Sequence, residues 1–395
     1  MKIKKVVSFC SAMALSFCAH AELIQHSEQI AEVRFSGSSY ELGLHVGEVA
    51  KEQILDGIAR FDKTLDFMLP GMSVAELART MQAQQLYQRL EQVSPDAADY
   101  LEGLSLSLER DPHFLLAVAM SDEAILESQK NGGVGFMQNS LSYSASTPSR
   151  CTVMAISDKQ GRAWGQANFD YMAANYEGLI VLNHLDDDGK RRVIQTWAGL
   201  IPYGGVNKGG QALLMNTMAD EGSLRERNGG EVISATAVPS FYLSWEAYNT
   251  ESAEQLIDVV TAYSEYTAFF SYTLVDSFGL VTNIENQTEG KVVISAKDRM
   301  AHANHSLYTH KPFVNKHFAG ASVLRQEAAE AYINSADINE DKAEAQAFAK
   351  QKPLWKGRGK FMGTVSSSHF RIQGALVDIY IETDDKHPEV LIRNY

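Results

Sequence analysis

The residues of this chain best suited to covalent chemistry lie in "STPSRCTVMAISDKQGRAWGQANFDYM", positions 146–172, where Cys151 is followed by an Asn-x-Asp triplet ending in Asp170. A cysteine thiolate is a nucleophile, and its reactivity is set by the charges and donors around it. Taken alone, Cys151 has a second reading as an inert buried side chain packed like a small hydrophobe. The compartment and the flanking elements must decide between the two.

Residues 1–21, "MKIKKVVSFCSAMALSFCAHA", place Lys2, Lys4 and Lys5 ahead of an apolar run and end on Ala19-His20-Ala21. This is the pattern of a secretory signal peptide, with Glu22 opening the mature chain and a periplasmic or secreted location expected. Cys10 and Cys18 leave with that leader, so the mature chain keeps one thiol and cannot close an internal disulfide. A lone thiol in an oxidising compartment is unusual enough to mark as reactive. No other stretch reaches the roughly 20 apolar residues of a membrane span.

Loss of the three leader lysines takes the formal net charge from -14 to -17. So acidic a chain has no electrostatic footprint for nucleic acid and is poorly suited to a polyanionic substrate. There is no P-loop, dinucleotide fingerprint or Cys/His cluster with zinc spacing, so no cofactor or metal is expected. Oligomeric state is not encoded in any of these features.

The elements that must position Cys151 change character near residue 150. From Ser38 to Leu126 apolar residues recur at helical spacing, as in "YELGLHVGEVAKEQILDGIARFDKTLDFML". A Gly-, Ser- and Asn-rich stretch, "KNGGVGFMQNSLSYSASTPSR", then reads as an exposed loop. Strand-type runs follow, from "CTVMAISD" and "RAWGQANF" through "GLIVLNHL", "RRVIQTWAG" and "QALLMNTM" to "YTLVDSFGLVTNIE" and "KVVISA". Helical segments recur at "FYLSWEAYNTESAEQLIDVVTAYS", "LRQEAAEAYI" and "DKAEAQAFAK". The strand-rich part therefore starts on Cys151 itself.

A cysteine at the head of a strand, after a flexible loop and before a hairpin carrying Asn and Asp, resembles the layout of an N-terminal nucleophile (Ntn) hydrolase. In such enzymes the bond before the nucleophile is cut, and the freed α-amine, with an unperturbed pKa of roughly 8, serves as base for its own side chain. At these residues the chain resembles the acyl-CoA:6-aminopenicillanic acid (isopenicillin N) acyltransferase family, relatives of the choloylglycine and penicillin V hydrolases. The resemblance runs from "FSGSSYELGLHVGE" through "CTVMAI", "GQANFDYM", "GGVNKGGQALLMNTM" and "YTLVDSFGLVTNIE" to "HANH" at 302–305 and "TVSSSHFRIQGALVDI".

The resemblance implies a role for each matching residue. Cys151 would be the nucleophile that forms a thioester, and Asp170 the carboxylate that orients the new α-amine. Asn304 in "HANH" would donate to the oxyanion, Asn216 in "LLMNTM" would face the same oxygen, and Arg325 in "SVLR" would support the site. Read without the family, Asp170 is equally a turn or strand-end residue, Asn216 a strand-end cap and Arg325 a solvated helix residue. The sequence also departs from the family: Ala167 is inserted in "GQANFD", where the bile-salt hydrolase branch has an arginine, and Arg150 precedes the nucleophile where Gly or Asp is frequent.

Two other readings compete. A papain-like pairing of Cys151 with His302 or His305 lacks a "CGSCW"-type segment, and papain-like nucleophiles open a helix rather than a strand. A periplasmic binding or scaffold protein with the same fold and no catalysis is the alternative to an enzyme. The expected architecture is α+β, a four-layer αββα Ntn-hydrolase sandwich. Residues 1–21 would be the leader, 22–150 a helical N-terminal segment walling the cleft and 151–395 the core. The expected activity is hydrolysis of a linear amide, or transfer of its acyl group, with a small-molecule N-acyl amide as substrate.

Overall fold

The computed structural model describes residues 22–68, 71–83, 85–121, 151–218, 238, 240–263, 266, 269–286, 292–308, 316–339 and 342–395. The leader, the loop before Cys151 and the Arg150–Cys151 bond lie outside these residues. Among them, strands numbered along the chain form two sheets. The larger has nine strands in the order β1 (Glu22–Gln25), β2 (Ile30–Ser36), β5 (Leu179–Leu185), β6 (Arg191–Trp197), β7 (Ile201–Val206), β8 (Ala212–Met218), β9 (Phe269–Val275), β10 (Val281–Asn286) and β11 (Val292–Lys297). The smaller runs β12 (Arg299–His302), β3 (Thr152–Ser157), β4 (Arg162–Met172), β13 (Met362–Gln373), β14 (Leu376–Glu382) and β15 (Val390–Arg393).

The two sheets pack face to face because their strands are apolar on the facing sides. Val153, Ala155, Leu213, Leu214, Leu274 and Val275 are buried in one core, and Gly165 leaves so little room that a Cβ there would lie 2.8 Å from Leu214 Cδ1. On the outer side of the smaller sheet, Met154, Ile156 and Trp164 pack against Ala329, Ile333, Ala345 and Ala349 of two helices near the C-terminus. Helices also cover the larger sheet, so the architecture is the expected α+β sandwich of four layers, αββα.

The segment before residue 150 is not purely helical, which corrects the expectation for it. Its first residues supply β1 and β2, and β2 pairs with β5 in parallel while the other strand pairings are antiparallel. In "IAEVRFS" strand alternation puts Ala31, Val33 and Phe35 on one face, where all three are buried. Strand β7, "IPYGGV", was also not expected, since its Gly204-Gly205 pair reads as a turn.

Among the described residues, six helices follow β2: α1 (Ser39–Val49), α2 (Lys51–Met68), α3 (Val74–Ala83), α4 (Leu86–Val93), α5 (Pro95–Leu108) and α6 (Pro112–Ala119). The motif "GSSYELGLHVGE" has a local explanation. Ser38 caps α1 and Glu41 reaches back to the Ser38 nitrogen at 3.0 Å, a capping box that satisfies two end donors. Gly43 and Gly103 then let α1 and α5 touch backbone to backbone. A Cβ on Gly43 would lie 2.1 Å from Tyr100 O, and one on Gly103 would lie 2.1 Å from Tyr40 O. A Gly43→Ala variant is therefore expected to lose about 3 kcal/mol or more of stability, the upper range for overpacking, because the obstructing atom is a main-chain carbonyl that cannot rotate away. Urea unfolding would check it; an unchanged midpoint would mean that the helices separate without cost.

A buried polar cluster ties these helices to the larger sheet. Arg192 of β6, 1% exposed, donates to Asp96 Oδ2 at 2.7 Å and to Ser39 Oγ at 3.0 Å. Asp96 also accepts from Trp245 Nε1 and from Asn249 Nδ2, both in α7 (Ser240–Asn249). Burial would raise the Asp96 pKa, but Arg192 and these donors more than offset it and hold the carboxyl well below its usual range. Four elements distant in sequence meet at one carboxylate, so the N-terminal segment is part of the same packed unit as the sheets.

Candidate active site

Cys151 sits at the head of β3 and is 7% exposed. The β3–β4 hairpin pairs Thr152 with Asn168 and runs without irregularity to Ser157 and Ala163. That register carries Asp170, 1% exposed, to the end of β3 where the Cys151 nitrogen lies. The extra Ala167 is absorbed as a regular strand position opposite Val153. The irregularity occurs instead on the other neighbour of β4, where the pairing of β13 shifts between Thr364 and Ser366, level with Asp170 and Phe169. A bulge of this kind re-aims side chains at the strand end.

Arg325, in α8 (Lys316–Ser335), comes into the same place from 174 residues away. Its Nη1 donates at 2.7 Å to both Cys151 O and Thr152 Oγ1, and its Nη2 donates at 2.7 Å to Asn304 Oδ1. At 2% exposure it is not a solvated helix residue. Burial lowers its pKa, while Asp170 and Cys151 draw it back up, which places a cation, a carboxylate and the thiol within electrostatic reach of one another.

The two asparagines form a clasp between the sheets. Asn216 of β8 donates through Nδ2 to Ala303 O, and His302 Nδ1 lies 2.9 Å from the same amide nitrogen and 2.6 Å from the same carbonyl. Asn304 Nδ2 answers by donating to Thr217 O at 2.6 Å. Asn304 uses one of its two amide protons in this contact. His302 is anchored through Nε2 to Glu285 Oε1 at 2.7 Å. For Glu285, burial raises the pKa, but the His302, Ser306 and Leu307 contacts prevail and keep it low. Ser322 Oγ contacts both Asn304 N and His305 Nδ1 at 2.8 Å. Both histidines therefore brace the Asn304 turn, and neither lines the pocket into which Cys151 opens.

Cys151, Asp170 and Asn216 share that pocket. The end of α6 contributes Ala119 and Ser121, so the N-terminal segment forms part of its wall. Its other sides are largely apolar, with Phe169 stacked on Tyr203 at 4.2 Å between centroids and Ile201, Met215 and Phe270 nearby. Burial pushes the Tyr203 phenol pKa upward, so that ring is a neutral wall.

One charged residue near the centre has no counterpart in the sequence reading. Lys356 has its pKa lowered by burial, raised by Asp170 and lowered again by Arg325. Its surroundings in sequence, "WKGRGKF", look like a solvated basic turn, and no local pattern marks it out.

No family model matches the chain, and no curated protein matches it. Among solved structures, it is similar to penicillin V acylase from Agrobacterium tumefaciens at 14% identity, covering 61% of this chain and 86% of that one with a TM-score of 0.40. It is also similar to a mutant of conjugated bile acid hydrolase from Clostridium perfringens at 13% identity, covering 61% of this chain and 92% of that one with a TM-score of 0.39.

Proposed function

We propose that this protein is an exported cysteine hydrolase of the N-terminal nucleophile type, processed before Cys151, that cleaves a linear amide or transfers its acyl group through a Cys151 thioester. The observation that carries the reading is Arg325, whose guanidinium links Cys151 O and Asn304 Oδ1 at 2.7 Å each while Asp170 lines the same pocket as Cys151. These contacts support the reading in which Cys151 is the nucleophile, Asp170 orients its amine and Asn304 donates to the developing oxyanion. Asp170 at the Cys151 nitrogen would direct the α-amine so that its lone pair takes the thiol proton. The remaining Asn304 N–H would meet the oxyanion, with Asn216 holding the turn that carries it.

The aromatic and aliphatic walls suit an apolar acyl group, with water or an amine entering to resolve the thioester. A binding protein without catalysis would have no use for scission at Cys151, so processing separates the two readings. Terminal sequencing of the exported protein is expected to yield Glu22 and Cys151, for fragments 22–150 and 151–395, together with turnover in a screen of N-acyl amides. An uncut chain with full amidase activity would overturn the α-amine mechanism, and a chain neither cut nor active would favour the binding protein.

A further inference from the structure

We propose that Lys356 is a positioning residue of this centre: its ammonium, carried to Asp170 by the tied loop before β13, works with Arg325 to favour the thiolate of Cys151. The geometry begins with the backbone. Lys356 N donates to Thr364 Oγ1 at 3.1 Å, Thr364 N donates to Gly357 O at 3.0 Å, and Thr364 is the register partner of Asp170. The lysine is therefore fixed one strand away from the carboxylate, next to the bulge at Thr364 and Ser366.

The loop is built to hold that position. Gly357 has φ +68, a conformation that favours glycine. A Cβ at Gly363 would lie 2.2 Å from Gly357 O and 2.1 Å from Tyr176 Oη, and one at Gly359 would lie 2.1 Å from Met362 O. Arg358 covers the Tyr176 ring at 4.2 Å and donates to Tyr176 O at 3.2 Å and Thr383 O at 3.0 Å. Side chains heavier than hydrogen are excluded where the turns cross, and a cation pins the outer edge. Lys356 is half-buried within this frame.

Charge gives the placement its consequence. Asp170 alone would raise the pKa of both the thiol and a free α-amine at Cys151, holding the thiol neutral and the amine protonated. Arg325 and Lys356 together supply two positive charges against that one carboxylate. The surplus favours a thiolate and a neutral amine, the pair that a thiol nucleophile with an amine base requires. The other titratable groups lining the pocket with Cys151 are the Tyr171 and Tyr203 phenols, and burial pushes that of Tyr203 upward. Behind Arg325 stands His305, whose pKa burial lowers, and beyond it the His302–Glu285 pair.

The inference rests on Cys151 as the reacting group, but its test does not require turnover. The full exported chain is alkylated with iodoacetamide across a pH series, and the Cys151 peptide is quantified by mass spectrometry. Intact mass fixes the processing state, so that only like forms are compared. In Lys356→Met the midpoint of alkylation is expected to rise by about half a unit to one unit, and in Lys356→Arg to stay near wild type. Asp170→Asn is expected to move it the opposite way. Lys356→Gln repeats the test should the methionine variant fold poorly. A midpoint unchanged in a folded Lys356→Met or Lys356→Gln protein, or moved as far by arginine as by methionine, overturns the proposal. Normal shifts with no amide hydrolysed would leave it standing and count against the proposed function instead.

Discussion

In a Cys151→Ala chain, cleavage of any N-acyl amide that the wild type turns over is expected to fall to background, a loss of roughly 10⁵–10⁶ in turnover. The same variant should stay in one piece, because the thiol that would attack the preceding carbonyl is gone. The effect should be chemical and not structural. Cys151 is a small side chain at the wall of a pocket, and removing one sulfur atom there costs on the order of 1 kcal/mol, too little to unfold the chain. Thermal unfolding measured beside activity separates the two. Activity within tenfold of wild type would show that another group attacks the substrate. Single-chain protein with wild-type activity would instead free the chemistry from processing.

The second large effect is expected at Arg325. Arg325→Met keeps the length and apolar stem of the side chain and removes the three donated bonds that connect Cys151 O, Thr152 Oγ1 and Asn304 Oδ1. Two consequences should appear together. Turnover should drop by about 10²–10³, the usual cost of losing one oxyanion donor, since Asn304 loses the partner that fixes its amide. Stability should drop by about 3–5 kcal/mol, because three buried acceptors lose a charged donor, at about 1–3 kcal/mol each, and Lys356 is left as the cation acting on Asp170. Steady-state kinetics and urea unfolding read these separately. A stable variant with normal turnover would reduce Arg325 to packing, and a destabilised one with normal turnover would make it purely structural.

Much of the arrangement that positions Cys151 was legible in short windows of sequence. The strand-type runs "CTVMAISD" and "RAWGQANF", joined by a short turn, are enough to pair β3 with β4, and the hairpin then brings Cys151 and Asp170 to one end, because antiparallel register fixes which residues meet. The Ser38–Glu41 capping box is an equally local feature. Other elements were misread for equally physical reasons. "IAEVRFS" lies ahead of six helices and finds its partner in β5, far along the chain, and the glycines of "IPYGGV" mimic a turn until neighbouring strands supply the ladder.

What the sequence by itself determined is the identity of the reacting groups: one thiol in the expected mature chain, a carboxylate one hairpin away, and asparagines at the ends of strand-type runs. Only the tertiary structure decided what those groups meet. Arg325 could be a solvated helix residue until α8 packed on the smaller sheet and aimed it at Cys151 O and Asn304. Asn216 could be read as a strand-end cap until closure of the two sheets brought its amide to Ala303 O and set the residue in the pocket of Cys151. Lys356 had no signal at all, because its partner Asp170 lies on another strand. Propensity and period act over a few neighbouring residues, whereas the charge balance at a buried thiol depends on side chains converging from separate layers.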